Sequence, residues 1–256
     1  WNGISWSYLP TLRAISSLDI PAANYFIKNL CMFNNELYIT GMFDSISGII
    51  GSTGIVKWTG NFYQSVGGGF MFSDVMKLSP INASKAFWGM LIWQGELIVA
   101  AEIKQAGTKT VNNLARWNGS SWNFVGKTAL SQGFLNTTTG LTFSDYFKGI
   151  AADDVLILHG TFTSVGGNSS VTGLAFCNGI DSLVWDKIKP HTSSDQLFYD
   201  NISQLISYPK NKYGGVLFYS SVLNRYGVFN SANGWRTTSE WAISPALQPK
   251  TYGYGT

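Results

Sequence analysis

Few side chains in this sequence are of a kind that does chemistry, so their spacing carries most of the functional information. Two histidines, His159 and His191, are too few for a three-histidine zinc site. His159 sits in the apolar run LILHG, where side chains alternate between faces, and reads as a hydrogen-bonded structural residue. His191 follows Pro190 in a turn and is expected in solvent. Asp153 and Asp154 resemble a carboxylate pair for acid/base work, yet they hold the place between two strands that Asn34 and Asn35 hold earlier, and so read as a turn. Asp44, Asp74, Asp145, Asp186 and Asp195 share no common spacing, which argues against a ring of carboxylates, and DSISG at 44 has too few acids for a calcium loop. VGGGF at 66 to 70 is followed by no helical pattern that could present amides to a phosphate, and no G-x-S-x-G elbow occurs. No catalytic residue, metal ligand or cofactor is therefore assigned.

Aromatic residues offer a different chemistry, the stacking of flat faces on sugar rings. Trp58, Trp117, Trp122 and Trp235 recur at a regular interval and are expected to pack between layers. Trp88 and Trp93 in FWGMLIW, and Tyr252 and Tyr254 in TYGYG, do not recur and are the candidates for a surface binding site. Five N-x-S/T sequons begin at Asn82, Asn118, Asn136, Asn168 and Asn201, a little above the roughly three or four that this composition would give by chance.

The interval that governs these residues is about 60 positions. ELYITG, ELIVAA, VLILHG and VLFYSS align Leu37, Leu97, Leu156 and Leu217 at separations of 60, 59 and 61. A second landmark, the exits WNG, VKWTG, ARWNG, AFCNG and NSANG, ends at Gly3, Gly60, Gly119, Gly179 and Gly234, in steps of 57, 59, 60 and 55. Within a unit, a first strand such as YFIKNLCMF turns through Asn34-Asn35 into the apolar strand. A Gly/Ser-rich connection then leads to a third strand, and a hairpin to a fourth strand that opens on an aromatic: Trp6, Phe62 or Tyr63, Trp122 and Trp235. Four strands per unit, repeated, predict an all-β protein of four-stranded antiparallel blades, a β-propeller of about four blades. A sandwich has no reason to keep such a period, and solenoid coils are shorter. Units are expected at about 15–70, 71–130, 131–190 and 191–245, flanked by partial units at 1–14 and 246–256, all in one domain. The leftover strands leave two expectations, a four-bladed ring with extensions or a segment of a larger propeller, and the opening on WNG, which reads as a cut in mid-blade, favours the segment.

The order of apolar strand, Gly41, a Phe, a Gly-rich loop and then W-x-G-x-x-W resembles the kelch-like repeats of bacterial cell-surface and viral propeller proteins. It differs from kelch in the single Gly at Gly41 and Gly160 and in losing that Gly in the second and fourth units. The resemblance implies architecture and carries no activity with it.

Charged residues make up only 12% of the chain, and the net charge of +3 is thinly spread, which argues against nucleic acid as a partner. No apolar run is long enough to span a bilayer, so no membrane insertion is expected. Cys31 and Cys177 occupy different places in the repeat and are expected as unbonded, buried thiols. Low charge, few titratable groups and many Gly, Ser, Thr and Asn predict a non-catalytic module on a cell or virion surface, serving adhesion, recognition or assembly through a glycan or protein partner. The alternative is a carbohydrate-active enzyme with a carboxylate pair at the propeller channel. An intracellular adaptor is disfavoured by the lack of a helical adaptor domain.

Overall fold

The structure, a computed structural model, describes residues 5, 14–15, 26–46, 48–72, 87–125, 134–135, 147–152, 155–160, 164–165, 174–179, 185–187, 204–208, 215–220, 225–230 and 234–237. Among them there is no helix, and every strand pairing is antiparallel. Four sheets of four strands follow one another, each a simple meander. The first contains Phe26–Phe33, Glu36–Met42, Ile55–Trp58 and Tyr63–Ser65, and the second Phe87–Trp93, Glu96–Ala101, Leu114–Trp117 and Trp122–Phe124. Phe147–Ala152, Leu156–Gly160, Leu174–Cys177 and Trp185–Lys187 form the third, and Gln204–Tyr208, Gly215–Ser220, Arg225–Asn230 and Gly234–Thr237 the fourth.

Backbone pairing gives an alignment of the units that does not depend on residue type. Leu37 lies opposite Trp58, Leu97 opposite Trp117 and Leu156 opposite Cys177. In the fourth sheet the corresponding pair is Val216 and Phe229, so Val216 takes the place expected for Leu217. The true spacing is then 60, 59 and 60. Gly234 likewise opens the fourth strand, paired with Asn230, where a third-strand exit was expected. The aromatic at the start of the fourth strands is Tyr63, Trp122 and Trp185, and in the fourth sheet Trp235, one residue in; each lies opposite the third-strand residue just named. Phe62 is exposed in the hairpin instead.

Turn chemistry explains one end of the sheets. Asn34 and Asn35 have φ of 50° and 61°, the left-handed pair that a two-residue hairpin demands and that asparagine tolerates. Gln94 and Gly95 repeat this turn with φ of 47° and 78°. Four-residue hairpins at 59 to 62 and 118 to 121 share the same end; there Gly119 packs on the Asn34 side chain of the preceding sheet, and Asn178, just past the third strand of the third sheet, accepts at its carbonyl from Gln94 Nε2 of the second at 3.3 Å.

Between the sheets lie the cores. Phe33, Tyr38, Met42 and Ile55 of the first sheet meet Leu97, Val99, Trp117 and Trp122 of the second. The other face of the second sheet, with Trp93, Ile98, Ala100 and Leu114, meets Leu156, Leu158, Cys177 and Trp185 of the third. Successive residues of one strand thus enter different cores. Polar atoms inside the first interface are paired across it: Trp117 Nε1 donates to Tyr38 Oη at 3.2 Å, and Trp122 Nε1 donates to the Val66 carbonyl at 3.0 Å. The Trp117 and Trp122 rings, 5.1 Å apart, leave so little room that a Cβ on Gly67 would fall 2.5 Å from one and 2.7 Å from the other. Of the glycines in VGGGF, Gly67 serves this contact, while Gly69 has no room for a Cβ beside the Thr53 backbone; together they link the first sheet to the strand Phe70–Phe72.

A smaller pairing also repeats. Ala14–Ile15 pairs with Ser45–Ile46, Phe70–Phe72 with Ile103–Ala106, and Phe134–Leu135 with Ser164–Val165. Each joins the approach to a first strand with the connection that leaves the second strand of the same unit. These accessory strands mark the end of the sheets opposite the tight turns.

Burial pushes the Tyr38 phenol above its ordinary range, and burial does the same to Tyr63. A raised folded-state value means that the neutral phenol is the folded form, so its contribution is complete below about pH 10 and is lost as pH rises above it. The melting temperature should therefore be flat with respect to these groups up to about pH 9 and fall beyond pH 10. Tyr38→Phe should soften that fall while costing about 1 kcal/mol at pH 7, because Trp117 Nε1 loses its acceptor. Thermal melts of both proteins between pH 7 and pH 11 measure the two effects.

Candidate binding face

The first strands of the four sheets stand side by side: Phe26–Phe33 next to Phe87–Trp93, that next to Phe147–Ala152, and that next to Gln204–Tyr208. Three of them contain an extra residue. Ile27 pairs with Gly41 and Asn29 with Thr40, leaving Lys28 over. Phe87 pairs with Ala101 and Gly89 with Ala100, leaving Trp88 over. Phe147 pairs with Gly160 and Gly149 with His159, leaving Lys148 over. Bulges of this kind re-aim a side chain and raise the local twist, and they gather at rims and sites. Positions 28, 88 and 148 are 60 residues apart and occur on neighbouring strands.

These bulges lie at the end of the sheets that carries the accessory strands and long connections. Lys28 and Ile27 are exposed there, together with Met71, residues 108 to 110 and Ile50, which is 94% exposed. The connections hold their shape through their own hydrogen bonds: Ser52 Oγ donates to the Ile49 carbonyl and accepts from Ile46 N, both at 2.8 Å, and Thr53 Oγ1 donates to the Asp44 carbonyl at 2.8 Å. The opposite end is short, with amide, hydroxyl and glycine residues in its turns. Glu36 and Glu96 at this end are paired within their own sheets, Glu36 with Lys57 at 2.8 Å and Glu96 with Arg116 at 3.0 Å.

Among the residues expected to bind at a surface, Trp88 takes a bulge position; the position recurs, with Lys28 and Lys148 as its counterparts, while the aromatic does not. Trp93, at the other end of the same strand, is a correction. It is 2% exposed in the core between the second and third sheets, because the parity that turns Phe33 into the first interface turns Trp93 into the next. Tyr252 and Tyr254 lie outside the described residues, as do Asp153, Asp154 and His191. His159 is buried in the third sheet, opposite Gly149 and Leu174. Neither cysteine is bonded; Cys177 is buried and donates to the Gly179 carbonyl at 3.2 Å, while Cys31 is only half-buried, with burial raising its thiol above the ordinary value. Among the described residues no cluster of three or more His, Cys, Asp or Glu side chains is arranged to hold a metal, and no helix is long and apolar enough to cross a membrane. Lys28 and Lys148 were not singled out from sequence, although their spacing from Trp88 is the repeat itself. No family model, no curated protein and no solved structure matches the chain.

Replacing Trp93 with alanine should cost about 3–5 kcal/mol, the penalty for emptying a packed aromatic site, where a surface anchor would cost under about 0.5 kcal/mol. Denaturant unfolding followed by circular dichroism distinguishes the two values.

Proposed function

We propose that the four meanders are successive blades of a β-propeller, and that the chain is a non-catalytic recognition module working outside a cell or on a virion surface. Support for the propeller reading comes from the side-by-side first strands, the ordered meander within each sheet and cores that fill the space between consecutive sheets. The binding face in this reading is the bulge end, where connections are long and free to vary. The observation that carries it is the placement of Lys28, Trp88 and Lys148 at one repeat position on three neighbouring strands. A repeat position that supplies one indole and two lysines has the composition to hold a sugar ring bearing carboxylate or sulfate, the indole for stacking and the lysines for neutralising the anion. A net charge of +3 favours approach of such an anion. Affinity then comes from several modest contacts around one anchor, as in other interfaces where few residues dominate.

A glycan array probed with the purified chain, in parallel with turnover assays on glycosidic and ester substrates, tests this reading. Acidic glycans should bind in preference to neutral ones, and Lys28→Glu should weaken that binding about tenfold, a loss of about 1.4 kcal/mol, without changing the melting temperature. Raising salt should narrow the difference between the two proteins. Turnover abolished by one Asp or Glu substitution, with no glycan bound, would replace the recognition module with an enzyme.

A further inference from the structure

The hairpin that joins Leu114–Trp117 to Trp122–Phe124 is closed by the pairing of Trp117 with Trp122 and spans Asn118, Gly119, Ser120 and Ser121, all exposed. Asn118 Oδ1 accepts from Ser120 N at 2.9 Å, from Ser121 N at 2.8 Å and from Ser120 Oγ at 2.9 Å, with Ser121 Oγ further off at 3.5 Å. Two backbone N–H groups converge on this atom, so it must be the carbonyl oxygen, and the orientation of the amide follows. Nδ2 is left on the solvent side with no hydrogen bond among the described residues. Asn118-Gly119-Ser120 is also an N-x-S sequon. Its serine hydroxyl donates to the amide oxygen, which draws electron density toward that oxygen and makes the Nδ2 N–H more acidic, so that nitrogen becomes a nucleophile once a base removes the proton. The counterpart hairpins lack the combination. In the first unit Thr59 Oγ1 performs the capping, accepting from Asn61 N at 3.4 Å and Phe62 N at 3.3 Å, and offers no amide. In the third, Asn178 is followed by Gly179 and Ile180, without a hydroxyl.

We propose that Asn118 is the acceptor of an N-linked glycan. The donor class is an oligosaccharide carried on a polyprenyl diphosphate. A bond forms between Asn118 Nδ2 and the anomeric carbon, the bond from that carbon to the diphosphate oxygen breaks with its electron pair, and the amide proton passes to a base of the transferring enzyme. Only Nδ2 is substituted, so the three short hydrogen bonds to Oδ1 that hold the hairpin survive. The glycan stands at the tight-turn end, away from Lys28, Trp88 and Lys148, and leaves the bulge end open. The proposal rests on the extracellular part of the functional reading and adds a modification to it.

The test is secretion of the full chain behind a cleavable signal peptide from a eukaryotic cell line restricted to oligomannose glycans, then trimming with endoglycosidase H and peptide mass spectrometry. The peptide containing Asn118 should carry one residual N-acetylhexosamine. That mass should vanish in Ser120→Ala and Asn118→Gln and persist in Ser120→Thr, and trimming should move the melting temperature by less than about 1 °C. Secreted chain with Asn118 unmodified, or with a modification that survives Ser120→Ala, overturns the proposal. Because the signal peptide supplies the route, that failure is separate from failure of the glycan-binding reading, which is read from Lys28→Glu on the same secreted protein.

Discussion

A sheet that has to be dry on both faces has no position to spare for water, and the rest of this structure follows from that constraint. In the second sheet, residues 97 to 101 are all 0% exposed. An antiparallel strand with one wet face alternates polar and apolar residues, whereas ELIVAA runs apolar from Leu97 onward because Leu97 and Val99 enter one core and Ile98 and Ala100 enter the next. Close approach on both sides then dictates details elsewhere. Gly67 has no room for a Cβ, and Trp117 and Trp122 each need an acceptor for the indole N–H that burial would otherwise strand.

The two interfaces differ in this demand, for in the second Trp93 Nε1 and Trp185 Nε1 are buried with no hydrogen-bond partner among the described residues. Tyr38 and Trp117 share a hydrogen bond across the first, and their counterparts across the second, Ile98 and Cys177, are apolar or nearly so. The same paired change occurs within sheets. Glu36 with Lys57 and Glu96 with Arg116 are ion pairs, while the third sheet has Val155 and Phe176 at those places. Losing one partner of such a pair leaves a half-buried polar group without its match, and replacing both removes the demand altogether. Repeat units can therefore drift in chemistry while keeping one backbone.

Parts of this were legible in the residues. Leu37, Leu97 and Leu156 stand in register because their strands follow short, well-marked turns, and Asn34-Asn35 announces a left-handed pair. The fourth unit departs because residues 209 to 214 separate its first two strands, so nothing short anchors the count, and a slip of one places Leu217 where Val216 belongs. Trp185 was hidden by the longer separation from Cys177. Bulges leave no mark on composition, which is why Lys28, Trp88 and Lys148 did not appear as one position. Trp93 was misplaced for the central reason: with both faces apolar, no pattern in FWGMLIW distinguishes a ring in a core from a ring at a surface. The same blindness extends to the candidate face, whose alignment depends on backbone pairing and not on a motif.

Two-sided burial of the second sheet is tested most directly by the adjacent substitutions Leu97→Ala and Ile98→Ala, measured by equilibrium denaturation. These side chains enter different cores, so each should cost about 2–5 kcal/mol, the range for deleting a buried aliphatic side chain. A sheet with one face toward solvent would lose that much at only one of the two sites and under about 0.5 kcal/mol at the other, and that result would contradict the stacked arrangement.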